Sequence, residues 1–285
     1  MATAVRVHTT IDGFRRALAE HRSGGATIGF VPTMGYLHDG HASLMRAAAQ
    51  DNDVVVASIF VNPLQFAANE DLSDYPRDIE RDKAICAEAG VDLVFAPTVE
   101  EMYPAPVQTV VEVPTMAARW EGATRPTHFA GVATVVTKLF SIVGSCSAYF
   151  GEKDFQQLQI VTRMAADLSL PVRVVGCPIR REDDGLAMSS RNIYLGADER
   201  RAATVLSRAL RLAVEAFRNG ETSGSALAQL MAAEVTAEPL AELDYAAVVN
   251  PNDMSPVSEV GEDDRLIIAA KVGAPRLLDN MSLRG

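Results

Sequence analysis

Short runs of β-branched and apolar residues alternate, over the first two thirds of the chain, with stretches whose apolar positions recur at the helical period. ATIGFV gives way to an Ala-rich helical stretch from about residue 40, followed by VVVASIFV, the helical IERDKAICAEAG and the run VDLVFAP. The pattern resumes with SAYF, a helix predicted over 155–168 that stops near Pro171, and the run VRVVG. This βαβ rhythm predicts a parallel sheet. Beyond residue 178 the texture changes. A polar loop, PIRREDDGLAMSSRN, leads into two Ala- and Leu-rich helices predicted over 197–219 and 223–237, then into the strand candidates LDYAAVVN and DRLIIAAKV. The expected division is one domain over 1–177 and a second over 178–285.

The polar clusters PTMGYLHDGH, NPLQF, GEKD and PIRREDDGLAMSSR each begin where an apolar strand candidate stops. In a parallel sheet every strand points the same way. These loops are therefore expected along one carboxyl edge, where open α/β folds bind their ligands.

Composition narrows what that ligand can be. A formal net charge of −11 leaves no broad basic face for nucleic acid, so an anion must meet a local positive site. A small charged substrate fits better. Cys86, Cys146 and Cys177 are odd in number and widely spaced, which fits reduced thiols rather than a zinc site or a disulfide framework. The first 25 residues contain no apolar signal core, and VVVASIFV is too short to span a bilayer, so a soluble cytoplasmic protein is expected.

In PTMGYLHDGH, Gly35 and Gly40 are expected to let the backbone turn tightly and approach a ligand. His38 and His41 fall at or just before a helix N-terminus, whose unpaired N–H groups and partial positive charge suit phosphate. Imidazoles placed there can donate to phosphoryl oxygens as charge builds in an in-line displacement. A plain helix cap plus a surface histidine is the alternative. In GEKDFQQLQ, Lys153 is a point charge suited to a β- or γ-phosphate, while Asp154 can accept from a ribose hydroxyl or merely cap the following helix. Ser189, Ser190 and Arg191 of AMSSRN can clamp a triphosphate from a mobile loop. Asn62 and Gln65 of NPLQF, together with Gln157, offer side-chain amides that orient hydroxyl, carboxylate and amine groups without adding charge.

Taken together, PTMGYLHDGH, SIFVNPLQF, YPRDIERD, RPTHFAGV, FGEKDFQQL, GLAMSSRN and RLLDN resemble the pantoate:β-alanine ligase (AMP-forming) family, in order and over nearly the whole chain. HxGH also marks the wider nucleotidyltransferase superfamily. The resemblance implies a Rossmann-like parallel-sheet N-terminal domain, a smaller α+β C-terminal lid domain and a homodimer. It implies ATP as a substrate, Mg2+ with it, and small-molecule partners only, neither nucleic acid nor membrane. Carried over residue by residue, Met34, Gly35, Tyr36, Leu37, His38, Asp39, Gly40 and His41 would wrap the ATP, with His41, His38 and Lys153 as the catalytic groups. Gly151 and Asp154 would hold the ribose and Lys153 the phosphates, Glu152 and Met188 would also belong to the ATP site, and the backbone near Arg180 would meet the adenine. Ser189, Ser190 and Arg191 would close over the triphosphate. Gln65 and Gln157 would bind pantoate, and Asn62 with Gln65 would bind β-alanine. Arg125 and His128 receive no firm role. Arg81 stands where an acidic residue is common, so a metal contact of the neighbouring Asp82 is the weakest of these assignments.

The implied reaction activates pantoate as pantoyl adenylate, and β-alanine then displaces AMP to give pantothenate. Two rivals remain at this stage. One is a superfamily member that acts on a phosphorylated acceptor, which would want more basic residues than Asn62, Gln65 and Gln157 provide. The other is a nucleotide-binding sensor without chemistry.

Overall fold

The computed structural model describes residues 5–67, 72 and 75–284. They divide into two compact units, Met1–Glu152 with Ile160–Pro178, and Lys153–Gln159 with Ile179–Gly285.

The strands of the first unit are β1 (Arg6–His8), β2 (Ile28–Thr33), β3 (Val54–Ile59), β4 (Leu93–Phe95), β5 (Cys146–Gly151) and β6 (Val172–Cys177). The helices along this part of the chain are α1 (Ile11–Ser23), α2 (Asp39–Asp51), α3 (Ile79–Glu88), the single turns α4 (Val99–Met102), α5 (Pro114–Ala117) and α6 (Glu121–Thr124), then α7 (His128–Val143) and α8 (Phe155–Asp167). Among the described residues the strands form one six-stranded sheet in the order β1-β4-β3-β2-β5-β6, with every pair parallel. The expected α/β parallel sheet is present.

Both faces of this sheet are covered, which is why its central strands read as unbroken apolar runs rather than as alternation. Successive strand side chains still point to opposite faces. On β2, Phe30 meets Phe140 of α7 with ring centroids 6.4 Å apart, while Val31 joins Leu37, Met45 and Ala48 in the core on the α2 side.

The second unit carries the antiparallel strands β7 (Ala241–Val249), β8 (Arg265–Val272) and β9 (Arg276–Ser282) in the order β7-β8-β9. They pack against α9 (Ala197–Ala203), α10 (Val205–Arg218) and α11 (Gly224–Thr236). Leu266, Ile268, Ala270 and Val272 of β8 share a buried core with Leu206, Leu210, Leu227 and Met231.

The helix expected over 197–219 is two helices that break at Thr204. The Thr204 hydroxyl donates to the Arg201 carbonyl at 2.7 Å and the Ser207 hydroxyl donates to the Thr204 carbonyl at 3.1 Å, so side chains compete with the backbone at the joint. Absent from the sequence expectation are β1, α1, the single turns α4, α5 and α6, the helix α7 and β9. α7 is buried on most of its circumference, which blurs its apolar stripe, and β9 carries Asp279 and Asn280, types depleted in strands.

All three cysteines are buried, and burial pushes the Cys86 and Cys146 thiols up to about 12 and raises Cys177 as well. Only the thiolate attacks a thiol reagent, so the native protein at about pH 8 should react slowly at all three positions and at once in strong denaturant. Rapid stoichiometric labelling of the native protein, followed by absorbance, would contradict this packing.

Candidate active site

In the first unit β2 and β5 lie side by side, yet β2 leads through α2 to β3 on one side and β5 leads through α8 to β6 on the other. Such a reversal leaves a crevice outside the carboxyl ends of the two strands, the usual ligand position in an open α/β sheet. The loop Met34–His38 leaves β2 at this point, and Gly151 ends β5.

That loop is held by its own backbone polar groups. The Thr33 hydroxyl donates to the Ser58 carbonyl at 2.7 Å and accepts from the Gly35 amide at 3.2 Å. Gly35 has φ +87° and Tyr36 φ +50°, so two successive residues take the left-handed region. A Cβ at Gly35 would also lie 2.9 Å from Asp82 Oδ2, so glycine is required there by both conformation and space. Tyr36 adopts this conformation at a cost of about 1–2 kcal/mol. The compensation comes from the first turn of α3. Asp82, 1% exposed, accepts the Tyr36 amide on Oδ2 at 2.8 Å and the Leu37 amide on Oδ1 at 2.7 Å. The Arg81 guanidinium lies over the Tyr36 ring, 4.8 Å from its centroid.

The loop delivers His38 as the N-cap of α2 and His41 into its first turn. The two rings lie 4.1 Å apart. His38 Nδ1 accepts from the Gly40 amide at 3.1 Å, and His41 Nδ1 accepts from the His38 amide at 3.3 Å. A backbone N–H can only donate, so both Nδ1 atoms must be acceptors and each neutral ring carries its proton on Nε2. The reciprocal cap therefore gives each histidine an Nε2–H donor, the tautomer suited to a phosphoryl oxygen. Gly40 departs from expectation. It does not make the tight turn, because it lies within the first turn of the helix and contributes its N–H to His38.

The geometry does not favour Asp82 as a metal ligand. Both of its oxygens already accept backbone amides in a buried position, which makes it a clamp on the loop. Among the described residues no group of three or more His, Cys, Asp or Glu is gathered to hold a metal ion.

After β3 the chain makes a 3-10 turn at Pro63–Gln65. Asn62 is fully buried, and its amide is committed. Oδ1 accepts from the Leu64 amide at 3.3 Å and from the Tyr103 hydroxyl at 2.9 Å, while Nδ2 donates to the Gly131 carbonyl and to Gln65 Oε1, both at 3.1 Å. Burial pushes the Tyr103 phenol up to about 12, so it stays a donor. With Oε1 occupied, the Nε2 N–H donors are the part of Gln65 not used in this network. They suit a carboxylate or hydroxyl ligand. Asn62 thus orients Gln65, and a direct contact of Asn62 with an amine substrate has no spare hydrogen-bonding capacity behind it. Arg125 Nη2 donates to the Gln65 carbonyl at 3.2 Å, and His128 Nδ1 lies 3.1 Å from the same oxygen. The turn fits against α7 because Gly131 has no Cβ, which would stand 2.1 Å from the Leu64 carbonyl oxygen.

In the second unit a pocket is lined by Lys153, Ser189, Arg191, Asn192, Arg276 and Asp279, among others, which brings Lys153, Ser189 and Arg191 to one place. Lys153 Nζ lies 3.6 Å from Asp154 Oδ1. Gln157 is half-buried in the first turn of α8. Residues 180–188 form a small hairpin, with Arg181 bridged to Ala187 and the Met188 amide donating to the Arg180 carbonyl at 2.9 Å. The next turn starts at Ser189, whose hydroxyl accepts from the Arg191 amide at 3.2 Å. Arg180, Met188 and Ser190 stay outside the pocket lining.

No local signal in the sequence points to Tyr103 or to the clamp made by Asp82, since each meets its partner across more than 40 residues of chain. Asp82→Asn would set an NH2 against one of the two amides, lowering stability by about 1–3 kcal/mol. Urea unfolding checks this, and unchanged stability would contradict the clamp. Tyr103→Phe removes the donor to Asn62 and is expected to lower stability by about 0.5–1.5 kcal/mol. A urea unfolding curve superimposable on the wild type would contradict this network.

Residues 6–282 match the family model described as Pantoate-beta-alanine ligase. A pantothenate synthetase of Rhizobium meliloti (strain 1021) is 54% identical over 277 residues, 97% of this chain and 95% of that protein. One from Brucella canis is 53% identical over 272 residues, 95% of this chain and 93% of that protein. The crystal structure of pantothenate synthetase from Thermus thermophilus is similar at a TM-score of 0.93 and 48% identity, covering 98% of this chain and 99% of that one. A pantoate-beta-alanine ligase from Francisella tularensis, complexed with beta-gamma ATP and beta-alanine, matches at a TM-score of 0.79 and 31% identity over 99% of each chain. With the family model matched from the first strand to the last, the chain belongs to the pantoate–β-alanine ligase family.

Proposed function

We propose that the chain condenses pantoate with β-alanine in two steps at the expense of ATP, and that His38, His41 and Lys153 carry the first step. A pantoate carboxylate oxygen attacks the α-phosphorus, the bond from that phosphorus to the bridging oxygen breaks, and pyrophosphate leaves. The nucleophile is already an anion, so no general base is needed. The enzyme's task is to position the reactants and stabilise charge. The observation that carries this reading is the reciprocal cap, which turns both imidazoles into Nε2–H donors at a helix N-terminus. Lys153, Ser189, Ser190 and Arg191 take the charge of the departing pyrophosphate. Gln65 and Gln157 orient pantoate, Gly151 and Asp154 hold the ribose, and the backbone near Arg180 meets the adenine. In the second step the β-alanine amine attacks the acyl carbon and loses a proton, and the acyl–phosphate bond breaks to release AMP.

Adenylates hydrolyse readily, so the pocket must be dry. The turn at Ser189–Arg191 is the element that closes over the triphosphate. Magnesium bound to the ATP phosphates supplies charge neutralisation, and Asp82 does not fit as its direct ligand. A homodimer in the cytoplasm is the expected setting. Among the described residues no helix is long and apolar enough to cross a membrane.

His41→Ala and Lys153→Ala should each lower turnover roughly 10²- to 10³-fold while leaving the protein folded. The decisive assay incubates the protein with ATP, pantoate and labelled pyrophosphate without β-alanine. Pantoate-dependent return of label into ATP is expected. Exchange without pantoate, or none at all, would instead favour an enzyme for a phosphorylated acceptor or a nucleotide sensor.

A further inference from the structure

We infer that Asp279 and Asn280, adjacent on β9, are positioning residues that fasten Lys153 and the Ser189–Arg191 turn to a single strand, an inference resting on the phosphate roles given above. The pair belongs to RLLDN, a motif for which the reaction itself has no use.

Both residues are buried, at 3% and 2% exposure, in a strand where apolar side chains would pack at less cost. Asp279 receives the fork of Arg181, Nη1 to Oδ2 at 2.6 Å and Nη2 to Oδ1 at 2.9 Å. Arg181 also donates to the Gly185 carbonyl at 3.1 Å, across the turn of its own hairpin. Gly185 has φ +91° there. Asn192 extends the connection, its Nδ2 donating to the Ala187 carbonyl at 3.1 Å and to Glu182 Oε1 at 3.2 Å. The hairpin and the turn that follows it are thus one braced piece, anchored on Asp279.

Asn280 reaches the other segment. Its Nδ2 donates to the Lys153 carbonyl at 2.8 Å, while its Oδ1 accepts from Arg265 Nε at 2.8 Å. The Arg265 guanidinium in turn lies over the Phe155 ring, 4.6 Å from the centroid, two residues beyond Lys153. Consecutive strand side chains point to opposite faces, so β9 can hold one segment with each. Neither partner is a core group. One is the backbone of the lysine that meets phosphate, and the other is the hairpin that enters the Ser189–Arg191 turn. Lys153, Ser189, Arg191 and Asp279 line the same pocket. The strand sets the spacing between two cations that a flexible loop and a helix start would otherwise present independently.

Asn280→Ala removes the donor to Lys153. Two readings are taken, binding of inorganic triphosphate by calorimetry and pantoate-dependent pyrophosphate exchange. The expected result is triphosphate binding weakened several-fold and exchange kcat lowered about 10- to 100-fold, with the KM for pantoate and the melting temperature close to wild type. Wild-type triphosphate affinity and kcat in this variant would overturn the inference, as would a loss matched entirely by loss of folded protein. Should Asn280→Ala fail to fold, Arg181→Lys decides in the same way, because it keeps the charge but loses the two-pronged geometry. If the unaltered protein shows no exchange, the proposed reaction fails while triphosphate binding still decides the brace.

Discussion

Two consecutive backbone amides, those of Tyr36 and Leu37, meet the two oxygens of one buried carboxylate, and the placing of His38 and His41 in the first unit depends on that meeting. A loop that passes through the left-handed region at Gly35 and Tyr36 turns its N–H groups away from any strand or helix partner. Left unpaired in a buried place, each would cost about 1–3 kcal/mol. Asp82 removes that cost and fixes where α2 begins, which makes His38 the N-cap. Once His38 is the cap, the two Nδ1 atoms are committed to backbone amides and the tautomer of each ring follows. The ring tautomer of both histidines thus traces back, through the loop, to one buried aspartate on α3.

The same logic recurs wherever a side chain of the site must face one way. Backbone groups cannot exchange donor for acceptor, so they orient the amides they touch. The Leu64 amide and the Gly131 carbonyl fix the orientation of Asn62, and Asn62 fixes that of Gln65. In the second unit the Lys153 carbonyl is held by Asn280 and the Gly185 carbonyl by Arg181.

Much of this was legible beforehand. The βαβ rhythm predicted a parallel sheet, and the placing of HxGH, NPLQ and GEKD after strand candidates pointed to one edge of it. What misled was local. Gly40 reads as a turn residue beside His41 but lies within the helix, and Asp82, read only as a weak metal contact, places both oxygens on amides of the loop. In both cases the composition of the motif was informative and the direction of the side chain or the backbone was not. RLLDN was visible only as a string, since a polar pair in a strand carries no meaning until its partners are known.

The sequence by itself determined the elements, their order and the residue types available for phosphate and amide chemistry, because hydrophobic period and turn composition are local properties of the chain. The tertiary structure alone decided which of those side chains were already spent on backbone partners and which kept donors to offer. That choice depends on contacts such as Asp82 with Tyr36, Tyr103 with Asn62 and Asn280 with Lys153, each joining positions more than 40 residues apart, where no periodicity reaches.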